Sequence, residues 1–85
     1  MNNINSGIYK INFPNGKSYI GMSSNIKSRI KEHNYDSKNP KYPVHKAIQK
    51  YYGSINMDNV EILENINPKD RALMCEREKY WIEYF

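Results

Sequence analysis

Eighty-five residues with a net charge of +4, 39% hydrophobic content and eight tyrosines suffice for one domain, 1–85, and are too aromatic for a disordered chain. The single cysteine, Cys75, excludes an internal disulfide and a cysteine zinc cluster and fits a reduced, intracellular setting. The polar start MNNINSG lacks the apolar centre of a signal peptide and no apolar run approaches bilayer length, so no membrane partner is expected.

Residues 7–13 and 17–22 read as two strands joined by Pro14-Asn15-Gly16. A three-residue loop with Gly16 in the left-handed conformation puts Phe13 opposite Lys17, Ile11 opposite Tyr19 and Tyr9 opposite Gly21. Tyr9 and Tyr19 then share one face of the hairpin, whereas a two-residue turn would separate them. Ser23-Ser24 offers capping hydroxyls for a helix over 24–34, with Ile26, Arg29, Ile30 and His33 on one face. YDSKNPKY, residues 35–42, reads as a loop, and a second helix runs over 44–52 to a stop at Gly53. The alternation through Val60 and Ile62 predicts a third strand over 59–63. Asn67-Pro68-Lys69-Asp70 opens a last helix, Asn67 capping and Asp70 reaching back. That helix carries Leu73, Met74, Tyr80, Trp81, Tyr84 and Phe85 on a broad apolar face. The expected fold is α+β, a small three-stranded antiparallel sheet flanked by helices in the order β-β-α-α-β-α.

Charge is unevenly spread. Residues 1–53 hold nine Lys or Arg against two acids, whereas the remainder holds four against seven. A basic front half interleaved with tyrosines fits a phosphate-lined partner, or simply a lysine-solubilised surface. Arg29 and His33 stand on a stripe otherwise isoleucine, which points them into a cleft or onto the rim of the core. Glu76 sits beside Leu73 and Tyr80 at the margin of the last helix's apolar face, where a carboxylate needs a basic partner or a metal. Glu78 and Glu83 have less apolar company.

The triplets GIY (7–9) and YIG (19–21), followed in order by Arg29, His33 and the Glu76 of CEREKYWI, resemble the GIY-YIG nuclease family over nearly the whole chain. The resemblance is closest to phage-type homing endonuclease nuclease domains. It implies a metal-dependent DNA endonuclease leaving 5′-phosphate and 3′-hydroxyl ends, in the cytoplasm of a bacterial or phage-infected cell. The alternative is a nucleic-acid-binding module that keeps the fold with little turnover. The implied catalytic set is Tyr9, Tyr19, Arg29, His33 and Glu76. Glu76 would hold one Mg²⁺ or Mn²⁺, and Arg29 would grip the scissile phosphate. Tyr19 would activate water, Tyr9 would orient it, and His33 would relay a proton or contact phosphate. A phenol acting as base needs nearby cations, and Lys17 is placed to help. Lys17, Lys27, Lys41 and His45 are the expected DNA contacts. Such nucleases place a further histidine before the second helix, for which His45 is the nearest residue here, and an asparagine beyond the last helix. Sequence reading of DNA would fall to a separate binding module. The last helix still reads as apolar at Phe85, as expected of a trimmed domain or of an end packed elsewhere.

Overall fold

The computed structural model describes residues 5–85, so the expectation for the first four residues lies outside the described part. Strand β1 (Gly7–Asn12) lies at the centre of a three-stranded sheet, with β2 (Ser18–Ser23) and β3 (Val60–Asn65) antiparallel on either side. Helices α1 (Ile26–Asp36) and α2 (Pro43–Tyr51) follow β2, and α3 (Arg71–Tyr84) follows β3, giving the expected order.

The hairpin forms in the expected register. Ile11 pairs with Tyr19 and Tyr9 with Gly21, and the Phe13 amide donates to the Lys17 carbonyl over 2.9 Å. Gly16 takes φ 84°, the left-handed conformation that closes a three-residue turn without a Cβ penalty. Alternation then sends Tyr9, Ile11 and Tyr19 to one face and Ile8, Lys10, Ile20 and Met22 to the other.

Two apolar clusters occupy the two faces. Tyr9, Ile11 and Phe13 pack with Ile26, Ile30, Ile48 and Ile55, beneath α1 and α2. Ile8, Ile66 and Met74 form the smaller cluster, with Ile20, Met22, Leu63 and Trp81 packed against it, beneath α3. A bulge in β3 opposite Ile8 and Tyr9 leaves Leu63 and Glu64 both on the α3 side of the sheet, where Leu63 packs against this second cluster. On that face the Lys10 ammonium lies 3.7 Å from the centre of the Phe85 ring.

Element ends follow local capping, with differences from the expectation. Asn25, not Ser23 or Ser24, caps α1: its side chain accepts from the Ser28 amide over 3.2 Å, and Asn5 Nδ2 donates to the same oxygen over 2.7 Å. The Ser23 hydroxyl instead accepts from the Asn25 amide, one step outside the helix. Helix α1 continues to Asp36, and the connection to α2 shrinks accordingly. Pro43 opens α2, and Gly53, at φ 73°, ends it. Asp70 caps α3 by accepting from the Leu73 amide, whereas the Asn67 side chain caps the preceding turn by accepting from the Lys69 amide.

Helix α3 departs most from its expected packing. Met74 is its only buried residue, while Leu73, Tyr80, Ile82, Tyr84 and Phe85 are exposed. Its apolar residues spread over more than a third of the helix circumference, wider than the strip that meets the sheet, so the broad apolar face is not buried as a unit. Among the described residues no helix is long and apolar enough to cross a membrane.

Candidate active site

The hairpin, α1 and the start of α2 converge on a cavity of about 470 Å³ lined by Tyr19, Arg29, His33, Asp36, Tyr42, Pro43, Val44 and His45. Tyr9 lies beneath it. The Tyr9 and Tyr19 ring centres are 6.1 Å apart, and the Tyr19 ring meets His33 edge-on at 5.6 Å. Gly21 makes this crowding feasible: a Cβ there would stand 2.6 Å from the Tyr9 hydroxyl and 2.9 Å from a Tyr19 ring carbon. The matching glycine at the other triplet, Gly7, holds φ 139° where a Cβ would strike the Glu64 carbonyl of β3. Each glycine therefore has a steric reason of its own.

The two phenols are not equivalent. Tyr9 is fully buried and Tyr19 is partly exposed to the cavity. Burial, with the neighbouring Tyr19, pushes the Tyr9 phenol well above its ordinary range, and Arg29 only partly offsets this. The Tyr9 hydroxyl lies 2.8 Å from His33 Nε2, and His33 Nδ1 lies 3.0 Å from His45 Nε2. With the phenol donating to Nε2, His33 carries its proton on Nδ1 and donates onward to His45. Asp36 Oδ2 stands 4.0 Å from that same His45 nitrogen. Burial, Arg29 and His45 lower His33 to about 4, so it is neutral at physiological pH. Both imidazoles are buried and satisfied, and no buried side-chain polar atom among the described residues lacks a partner.

Arg29 projects from the turn of α1 before His33. Its Nη1 donates to Glu32 over 2.8 Å, while the guanidinium is close enough to both phenols to be stabilised by them. It is the cation that acts on Tyr9. Lys17, expected to help a phenol act as base from its place two residues before Tyr19, is exposed at the hairpin end and borders a cavity with Tyr19, Ile82 and Phe85. Lys27 is exposed near the start of α1, and Lys41 borders a neighbouring cavity.

The acid of α3 approaches from the other side of the sheet. Arg29 also borders a smaller cavity of about 240 Å³ with Met22, Ser23, Ser24, Arg71 and Met74. At the far end of α3, Ile82 and Phe85 border the cavity that holds Tyr19 and Ile20. Helix α3 therefore runs along edge strand β2, with Met74 beside Met22 and Ile82 beside Ile20. Glu78, one turn from each, lies alongside this edge, half-buried, and desolvation raises its carboxyl above the usual range. It belongs to none of the ion pairs among the described residues. Glu76 is roughly 200° around the helix from Met74 and exposed, so the structure does not bring it to this edge. The other acid near the helix, Glu64, is occupied: its Oε1 accepts from Arg77 Nε over 2.7 Å and from the Trp81 indole over 3.1 Å.

Two phenols over a glycine, an arginine beside them and a helix carrying an acid along the same strand edge form a recognisable arrangement. A family model described as the GIY-YIG catalytic domain matches residues 5–85, all but the first four of the chain. The chain belongs to the GIY-YIG family. Comparison with curated proteins and with solved structures yields no match. The GIY and YIG triplets are thus the central and edge strands of the sheet, and membership assigns a nuclease domain with DNA as the implied substrate. The His33–His45 contact was not legible in sequence as a pair. Its signal was two lone histidines on consecutive helices, each next to an isoleucine stripe.

Proposed function

We propose that this domain is a divalent-metal-dependent DNA endonuclease whose site wraps around the edge strand β2. The observation that carries it is the convergence of Tyr19, Arg29 and His33 on one open cavity, with Arg29 and Tyr19 also facing the side occupied by α3. Arg29 is positioned to bind the non-bridging oxygens of a phosphate, since a guanidinium fork matches them in two places. Tyr19 is the phenol with access to solvent, which suits it to contact the attacking water and accept its proton. Tyr9, buried and protonated, orients His33 and supports Tyr19 from below.

No group of three or more His, Cys, Asp or Glu side chains among the described residues is arranged to hold a metal. The donor set fits a hard ion shared with substrate: a half-buried carboxylate without an ion-pair partner, completed by water and phosphate oxygens. On this reading Glu78, rather than Glu76, is the residue that would hold one Mg²⁺ or Mn²⁺. Bound there, the ion would neutralise charge on the leaving 3′ oxygen. The products would be 5′-phosphate and 3′-hydroxyl ends. As in the homing-type domains that the sequence resembles, target choice would rest with a separate DNA-binding module.

The test is nicking of supercoiled plasmid with Mg²⁺ or Mn²⁺. Glu78→Gln and Arg29→Ala are expected to abolish nicking, and Glu76→Gln to leave it within a few-fold of wild type. Activity lost in Glu76→Gln but kept in Glu78→Gln would reverse the assignment of the acid. Salt-sensitive DNA binding by the wild type with no product under any metal would refute turnover.

A further inference from the structure

Next to the candidate active site, the connection between α1 and α2 forms a second cavity of about 460 Å³. It shares Asp36, Tyr42 and His45 with the first cavity, so the two adjoin. Two tyrosines rim it with unusual exposure: Tyr35 is 74% and Tyr42 64% accessible. Rings that open to water do nothing for the core. Tyr42 is nonetheless held in place, its ring edge-on to His45 with 5.9 Å between centres. Lys38, Asn39 and Lys41 complete the lining, and the two lysines outnumber the single carboxylate, Asp36; the Lys38 ammonium is 5.9 Å from the Tyr35 ring centre.

We infer that this cavity is a nucleobase subsite that takes an unpaired nucleotide of the DNA strand leaving the active site, its base stacked on Tyr35 and Tyr42 and its phosphates near Lys38 and Lys41. The inference rests on the DNA-cleavage reading above and adds a substrate preference to it. Aromatic faces with adjacent cations bind single-stranded nucleic acid because every base has a π-face and every nucleotide a phosphate. A fully paired duplex keeps its bases stacked on one another and cannot fill the space. The two cavities meet at Asp36, Tyr42 and His45 on the same side of the sheet, so a strand held at Arg29 has this cavity as its neighbour.

Fluorescence anisotropy with the full chain, in the absence of divalent metal, tests this on three labelled DNAs. They are a plain duplex, the same duplex with one extra unpaired nucleotide, and that bulge made with an abasic sugar. The wild type is expected to bind the base-containing bulge about 5- to 150-fold more tightly than the abasic one, the range for one stacked base. Tyr35→Ala and Tyr42→Ala should each shrink that ratio, Tyr35→Ala leaving plain-duplex affinity within about twofold, while Tyr42→Phe retains the ratio. Lys41→Ala should weaken binding to all three DNAs and reduce the salt slope by about one. Equal binding of the base-containing and abasic bulges by the wild type would overturn the subsite while leaving the nuclease reading intact. A ratio that persists in both alanine variants would also overturn it. No binding to any of the DNAs would remove both readings, and would point to a protein contact for these tyrosines.

Discussion

Acid should destabilise this domain through His33. The imidazole is 1% exposed, hydrogen-bonded to Tyr9 and against His45, and the groups that face it are Arg29 and His45, which oppose its charge, and Asp36 and Glu32, which favour it. Folded, it stays neutral down to about pH 4, whereas the unfolded chain binds that proton near 6.5. Between these values the unfolded state holds more protons, so stability rises with pH there and is lost as pH falls through 6.5. The loss works out at about 2 kcal/mol by pH 5 and levels off near 3 kcal/mol at about pH 4. For a chain of this size, 2 kcal/mol corresponds to a fall in Tm of roughly 8–16 °C and to about 2 M in the urea midpoint if m is about 1 kcal/mol/M. Urea unfolding at pH 7 and pH 5 measures it, with His33→Gln as the comparison because an amide can still accept from Tyr9 but does not titrate in this range. The wild type should lose stability between the two pH values and the variant should not. Equal pH dependence in the two proteins would show that His33 is not the group that resists protonation.

Four further substitutions probe the same packing. Gly21→Ala would drive a methyl group to 2.6 Å from the Tyr9 hydroxyl, so urea unfolding should show a loss of about 1–3 kcal/mol. Tyr9→Phe should cost about 1–3 kcal/mol by leaving buried His33 Nε2 without a partner, while Tyr19→Phe should change stability by less than about 0.5 kcal/mol yet abolish plasmid nicking. Asn34 holds the chain after α2 by donating to the Ile55 carbonyl over 2.7 Å and accepting from the Ile55 amide over 2.8 Å. Asn34→Ala should therefore cost about 1–3 kcal/mol, with faster hydrogen exchange at Ile55 as the local readout.

Where geometry is local, the sequence was sufficient. Pro14-Asn15-Gly16 sets the hairpin register, because loop length fixes which residues pair, and the register puts both phenols on one face. The pairing of Arg29 and His33 on one face of α1 follows from helix spacing alone. Cap choice was less legible where two candidates compete within a few residues. Asn25 and Asp70 cap their helices, while Ser23 and Asn67 satisfy the turns just before them. The face of α3 was decided only by tertiary structure. Its apolar residues spread over about half the helix circumference with Glu76 and Glu78 toward opposite margins, so spacing alone does not choose between the two acids, and docking along β2 is what turns Glu78 inward and Glu76 out. His45 likewise meets His33 only because α2 returns across the same face of the sheet as α1, a contact between elements that no local spacing encodes.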